Sequence, residues 1–234
     1  MLFPLLQELL MTEPITHLIF DLDCTVYPAH TPMGDGISYR INKYASDFWH
    51  VDFATGAKMR RTALLQYGTT LDWLVEAGGF TDIEDYFAYV HPEDECSGLP
   101  LAPRLRPLLE ALPQKKLILT NAPYEHAERV LRHLGVRDLF CAICDIRMNS
   151  LRGKPAAAAF YKALELCGGT LEHTLFLDDC EGYTDGWAAL GGTAVLVSAE
   201  PPNARTQGLR GKTMQIEDIY ALPALLASLS ATGV

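Results

Sequence analysis

The sequence predicts an α/β protein built on a doubly wound parallel sheet, with an α-helical segment inserted after the first strand. Three observations carry that expectation. Short, continuously apolar runs recur along the chain, as in strands buried on both faces. Helical patterns alternate with these runs in the second half, which is the rhythm of parallel sheets joined by crossover helices. Between the first two runs, residues 28–100 show helical periodicity and no clear strand.

The runs read as strands are His17 to Leu22, Lys116 to Thr120, Leu139 to Cys144, Thr174 to Leu177 and Thr193 to Val197. Tyr124 to Leu134 reads as a helix capped by Gly135, and Pro155 to Cys167 as a helix with proline in its first turn and Gly168 after its end. Gly182 to Leu190 reads as a third, ended by Gly191-Gly192. In the inserted stretch Ile37, Ile41, Tyr44 and Phe48 share one helical face. Leu71, Leu74 and Val75 mark a helix stopped by Gly78-Gly79. Thr81-Asp82-Ile83-Glu84 fits a capping box opening a helix through Val90. Pro28 and Pro32 on one side, and Pro100 and Pro103 on the other, bound the insert. The expected domains are therefore a core of residues 1–27 and 101–234 and a helical cap of residues 28–100.

Composition narrows the function classes. The 234 residues are 49% hydrophobic and 21% charged, an ordinary globular balance. The formal net charge of −10 disfavours a nucleic-acid polymer as partner. It also means that a phosphate site needs a local cation or helix N-termini. No apolar run approaches the roughly 18 residues of a membrane span. The apolar start Met1 to Leu6 has no basic residue before it and reads as a tail or packing helix, not a secretory signal; Met11 is an alternative start. The six cysteines include a Cys141-x-x-Cys144 pair inside an apolar run. With no partner pair or flanking turn, they read as buried thiols of a cytoplasmic protein, not as a zinc or redox site.

Ligands of open α/β sheets bind at the carboxyl ends of the strands. Asp21-Leu22-Asp23-Cys24-Thr25 follows the first expected strand, Thr120-Asn121 the second, Lys154-Pro155 the third after a loop, and Asp178-Asp179 the fourth. Each alone has an ordinary reading as a turn, cap or solvated residue. In this order, at successive strand ends, they fit phosphoryl transfer. Asp21 and Asp23 are two apart, so an extended chain would send both carboxylates to one side. One can attack phosphorus while the other handles the proton of the leaving oxygen. An anion attacking a phosphate dianion needs screening, and four aspartates make Mg2+ the natural cation. A lysine and backbone amides would hold the equatorial oxygens.

This set resembles the haloacid dehalogenase superfamily, whose signature is DxDx[TV], a strand ending in Ser or Thr, a Lys, and a paired acidic motif. The resemblance covers about residues 16–198. It implies a Rossmann-like core with a cap, an aspartyl-phosphate mechanism with Asp21 as nucleophile and Asp23 as general acid/base, and phosphate binding by Thr120 and the Asn121 amide. Lys154 would steady Asp21 and the phosphoryl group. Magnesium would be held by Asp21, the Asp23 backbone carbonyl and Asp179, with Asp178 holding a metal-bound water.

Within the superfamily the chain looks most like the pyrimidine 5'-nucleotidase group. The residues behind this are Phe20 to Asp23 with Thr25-Val26-Tyr27-Pro28, Tyr67 to Leu71, and Leu119 to Ala122 followed by His126 to Leu131. UMP or CMP are the substrates that match implies. Alternatives are a sugar-phosphate or phosphoglycolate-type phosphatase, a phosphomutase, and a non-catalytic binding protein of the same fold. A dehalogenase has no need of an acid at Asp23. Three positions depart from the pattern: Cys24 stands where Gly or Asn is usual, Cys180 where Ser is, and Tyr183 where Asn is expected, with Asp185 near enough to substitute. Trp49, Arg60, Arg61, Tyr67 and Trp73 are the cap residues considered for contact with the leaving group. The expected partner is a small phosphorylated molecule, and the expected state a monomer or homodimer.

Overall fold

A computed structural model of the chain describes residues 14–200 and 213–231. The apolar start and Met11 lie outside them. Six strands form one parallel sheet: β1 (His17–Phe20), β2 (Lys115–Leu119), β3 (Ala142–Cys144), β4 (Thr174–Asp178), β5 (Thr193–Val197) and β6 (Thr213–Ile216). Their order is β3-β2-β1-β4-β5-β6. The chain winds outward from β1 on one side, then crosses to the other, so the switch in direction falls between β1 and β4. The doubly wound sheet is as expected, and so are five of its strands.

Side-chain alternation explains why the runs are apolar throughout. Leu18, Phe20, Ile118, Ile143, Leu175, Leu177, Val195 and Val197 face one way. They meet helices α5 (Leu105–Glu110), α6 (Tyr124–His133) and α9 (Leu222–Ala231) through Leu105, Leu109, Val130, Leu131 and Leu222. Ile19, Leu117, Leu119, Phe176 and Ala194 face the other way. They meet α7 (Ala157–Cys167) and α8 (Glu181–Ala189) through Phe160, Leu164 and Trp187. Both faces are buried, so period-two patterning is hidden in the sequence.

Two expectations are corrected here and one strand is added. The run from Leu139 is a strand only from Ala142; Arg137–Leu139 form a 3-10 turn and Phe140 tucks into the core against Phe20. Helix α7 starts at Ala157, so Pro155 precedes it and does not occupy its first turn. The strand β6 went unpredicted: it is short and half-buried, and Gln215 spends its amide on Ser198 and Glu200 carbonyls. Edge strands of this kind lack the apolar run that marks a central one.

The insert between β1 and β2 holds α1 (Pro32–Phe48), α2 (Phe53–Tyr67), α3 (Thr70–Gly78) and α4 (Ile83–Val90). Thr31 caps α1 by accepting from the Gly34 amide, with Pro32 in the first turn. Asp82, not Thr81, caps α4. The insert has its own apolar cluster of Leu71, Trp73, Leu74, Tyr86, Phe87 and Val90, against which Ile37, Ile41, Tyr44 and Phe48 pack. Ile146 from the loop after β3 joins this cluster. The outgoing and returning linkers touch closely: a Cβ on Gly98 would lie 2.8 Å from the Met33 amide nitrogen. Among the described residues no helix is long and apolar enough to cross a membrane.

Candidate active site

The carboxyl ends of β1 and β4 deliver the first two carboxylates. Asp21 lies one residue past β1, yet its N–H still donates to the Leu177 carbonyl at 2.8 Å, so sheet pairing sets its height. Asp178 ends β4 and pairs in register with Leu196 of β5. The two carboxylates thus flank the switch point, where such sheets bind ligands. Beyond Asp21 the chain does not stay extended. Thr25 and Val26 donate to the Leu22 carbonyl, and Cys24 adopts a left-handed conformation with φ of 62°. Asp23 therefore reaches the site from a turn and not by strand alternation, which corrects that part of the sequence argument.

Lys154, from the segment before α7, joins the two strand ends. Its ammonium donates to Asp21 Oδ1 and to Asp178 Oδ2, both at 2.6 Å, and is 1% exposed. Burial alone would disfavour its charge; the two carboxylates outweigh that and raise its pKa above the ordinary lysine value. Burial pushes Asp21 up, and Lys154 pulls it part of the way back. Burial also raises Asp178 to about 8 and the more exposed Asp179 to about 7.

Carboxyl oxygens of Asp21, Asp178 and Asp179 all lie within 4.8 Å of one another. Three carboxylates thus face one ammonium. That excess of hard oxygen donors, with its carboxyls driven toward protonation, fits a divalent cation of the magnesium type. The Asp23 carboxylate is not in this group. Its Oδ1 accepts from the Tyr27 hydroxyl and from His126 Nε2, the latter at 2.8 Å. Burial would raise Asp23, but the His126 charge and both donors prevail and hold it down at about 2.

Thr120, after β2, is 1% exposed; its N–H donates to the Cys144 carbonyl and its hydroxyl accepts from the Ala122 amide. Asn121 grips Lys154, its Oδ1 accepting from the Lys154 amide at 2.8 Å and its Nδ2 donating to the Lys154 carbonyl at 3.0 Å. Asn121 Nδ2 also reaches the Tyr183 hydroxyl at 3.2 Å, and the Lys154 ammonium lies 5.1 Å from the Tyr183 ring centre. Tyr183 thus packs beneath the lysine. Asp185 is not among the cavity-lining residues.

Asp21, Asp23, Thr120, Asn121, Lys154 and Asp179 line a cavity of about 830 Å³ between sheet and insert. The opposite wall includes Ile41, Arg60, Leu64, Thr70, Tyr86 and Phe87. Arg60 donates to Thr70 Oγ1 at 2.7 Å and to Asn42 Oδ1 at 3.3 Å, and among the described residues it pairs with no carboxylate. Burial lowers its pKa. Trp49 and Trp73 stack on each other at 5.4 Å within the insert, Arg61 is exposed, and Tyr67 lines a smaller neighbouring cavity of about 280 Å³. All six cysteines are free; Cys144 and Cys167 are buried, whereas Cys141 is exposed, contrary to expectation. Burial and the surrounding carboxylates push the Cys24 thiol up to about 12, so it stays neutral beside Asp21.

Sequence reasoning gave no role to His126, Glu95 or His91. His126 was visible only as one letter of the match around Thr120, and it shares the buried face of α6 with Ala127, Val130 and Leu131.

The architecture is found in known proteins. It is similar to a crystallised HAD phosphatase from Thermococcus onnurineus, with 18% identity over 90% of this chain and 97% of that one, at a TM-score of 0.64. The HAD-hydrolase YfnB from Bacillus subtilis, bound to magnesium, matches at 15% identity, 92% and 100% coverage and a TM-score of 0.61. L-2-haloacid dehalogenase from Xanthobacter autotrophicus, with chloropropionic acid covalently bound, matches at 16% identity, 91% and 98% coverage and a TM-score of 0.56. At these identities the likeness speaks for the fold alone. The family follows from the sequence model of haloacid dehalogenase-like hydrolases, which matches residues 15–186, β1 through most of α8: the chain belongs to the haloacid dehalogenase-like hydrolase family.

Proposed function

We propose that the protein is a magnesium-dependent phosphomonoesterase working through an aspartyl-phosphate on Asp21. The observation that carries this reading is the Lys154 bridge between Asp21 and Asp178, 2.6 Å to each, beside Asp179 at the floor of a cavity that Asp23 also lines. A dehalogenase on the same fold has no use for a second carboxylate with its own hydrogen-bonded support.

In this reading Lys154 favours the ionised form of Asp21 and aims it, and Asp21 Oδ attacks phosphorus as the P–O bond to the leaving alcohol breaks. Asp23 supplies the proton to the leaving oxygen. Two donors favour its anion in the described geometry; an arriving phosphate dianion makes that anion costlier and lets it take up a proton. Asp23, again a carboxylate, then takes a proton from the water that attacks the aspartyl-phosphate, releasing phosphate and restoring Asp21. Thr120 and the Asn121 amide bind phosphoryl oxygens. Asp21, Asp178, Asp179 and the Asp23 carbonyl would hold the cation, which screens the charge between nucleophile and phosphate.

Residues 28–100 serve as the cap that reads the leaving group. The cavity volume and its apolar and aromatic far wall support a nucleoside 5'-monophosphate, with pyrimidine nucleotides such as UMP or CMP the first candidates. One observation favours a second reading. Arg60 is a largely buried guanidinium without a carboxylate, and an unpaired buried charge is costly unless a ligand answers it. A leaving group bearing its own carboxylate, as in a phosphoglycolate-type substrate, would do so.

A phosphate-release screen over nucleoside monophosphates, sugar phosphates and phosphorylated carboxylic acids, with Mg2+ and with Asp21→Asn as the blank, tests the proposal. Release from at least one ester, abolished in the blank, is expected. No release from any ester, or equal release by the blank, contradicts it. An Arg60→Met variant selectively weakened toward carboxylate-bearing esters marks the second reading.

A further inference from the structure

The buried network beneath Asp23 is larger than packing requires. His126 is 0% exposed, with Nε2 at 2.8 Å from Asp23 Oδ1 and Nδ1 at 2.9 Å from Glu95 Oε1, the latter off the line of a hydrogen bond. Glu95 also takes His91 Nδ1 at 3.1 Å and Arg129 Nη2 at 2.7 Å. Arg129 Nη2 donates in addition to the His91 carbonyl at 2.8 Å. The His91 and His126 rings lie 4.2 Å apart.

A leucine at position 126 would continue the apolar face of α6 without burying charge, and buried ionic groups often cost more than apolar replacements. The network therefore calls for another explanation. His91, Glu95 and His126 could together ligate a metal, but Arg129 already neutralises the same Glu95 oxygen that faces His126, and the short N···O distances are those of direct protein contacts. What the network does reach is Asp23. Tyr27 and His126 both occupy Oδ1, and among the described residues no protein donor takes Oδ2.

We propose that His126 is a positioning residue for the acid–base step: it fixes Asp23 Oδ1 so that Oδ2 meets the leaving oxygen, and Glu95 fixes His126 in turn. The inference rests on the phosphatase reading. The chain topology adds a consequence. Glu95 and His91 belong to the return leg of the insert, just after α4, while His126 and Arg129 belong to α6 of the sheet domain. The orientation of the acid is thus set jointly by the insert and the sheet.

The effect of a displaced acid depends on the leaving group. An alkoxide needs a proton as it departs, whereas a nitrophenolate departs without one. The experiment measures kcat/KM for the best alkyl ester of the screen and for p-nitrophenyl phosphate in wild type, His126→Leu, His126→Gln and Glu95→Gln. The alkyl-to-aryl ratio cancels any fraction of misfolded protein, so a purely structural defect leaves it unchanged.

The ratio is expected to fall by about tenfold or more in His126→Leu. Part of that loss should return in His126→Gln, whose amide can still donate to Asp23. Glu95→Gln should shift the ratio the same way by less. A ratio within about twofold of wild type in both His126→Leu and Glu95→Gln overturns the inference while leaving the phosphatase reading standing. Wild-type protein inert toward every ester overturns that reading, and this inference with it.

Discussion

Asn121 holds Lys154 by both of its backbone polar groups, accepting from the amide at 2.8 Å and donating to the carbonyl at 3.0 Å. A residue expected to contribute its backbone amide to phosphate binding thus uses its side chain to place the ammonium that spans Asp21 and Asp178. Asn121→Ala should leave the fold intact and misplace Lys154. A displacement near 1 Å at a reacting group can cost about 10²-fold. Steady-state kinetics should show kcat down by about 10- to 100-fold with KM changed less.

Removing the ammonium itself should affect stability as well as rate. Lys154→Met leaves Asp21 and Asp178 buried without their cation, and breaking a buried pair costs about 3–5 kcal/mol. The pH dependence follows from carboxyls whose folded pKa values lie above their unfolded ones. Such groups favour folding when protonated and oppose it once ionised, so stability falls as pH rises from the unfolded value through the folded one, about 8 for Asp178 even with Lys154 present. Urea unfolding of metal-free Lys154→Met should therefore show a smaller deficit against wild type at pH 5 than at pH 8.

Magnesium should relieve the same repulsion in the intact protein. A ligand at a hundred times its Kd stabilises by about 2.7 kcal/mol, which for a chain of this size is roughly 5–10 °C in Tm. Thermal unfolding with and without Mg2+ should show that rise. Asp179→Asn should lose most of it and should not lower the Tm of the metal-free protein.

Cys24 bends the chain between Asp21 and Thr25 with φ of 62°, a conformation glycine adopts without penalty. The position therefore favours a residue that tolerates the left-handed region, such as Gly or Asn. Cys24→Gly should raise stability by about 0.5–1 kcal/mol, because relief of left-handed strain exceeds the added chain entropy. A β-branched Cys24→Val should lower it by at least about 1 kcal/mol; chemical denaturation measures both.

The fold was legible where burial on both faces makes a strand continuously apolar, as in Leu18-Ile19-Phe20 and Leu175-Phe176-Leu177. It was illegible at β6, where an edge strand carries Gln215 and Thr213 and no such run. Asp21, Thr120 and Asp178 could be placed because each ends or follows an apolar run, and Lys154 because it stands beside proline in the loop between the third run and the next helix. His126 could not: a histidine on the buried face of an amphipathic helix reads as packing, and its partners Asp23 and Glu95 lie 103 and 31 positions away. The geometry at Asp23 was misread for a local reason, since DxD implied extension whereas Cys24 turns the chain.

The central claim is a covalent phosphoryl group on one side chain. Acid quenching during turnover of the best ester, followed by peptide mass mapping, tests it directly. The account predicts a phosphorylated peptide whose modified residue is Asp21, absent in Asp21→Asn. Turnover with no phosphorylated aspartate trapped at any quench time, together with activity retained in Asp21→Asn, would contradict it.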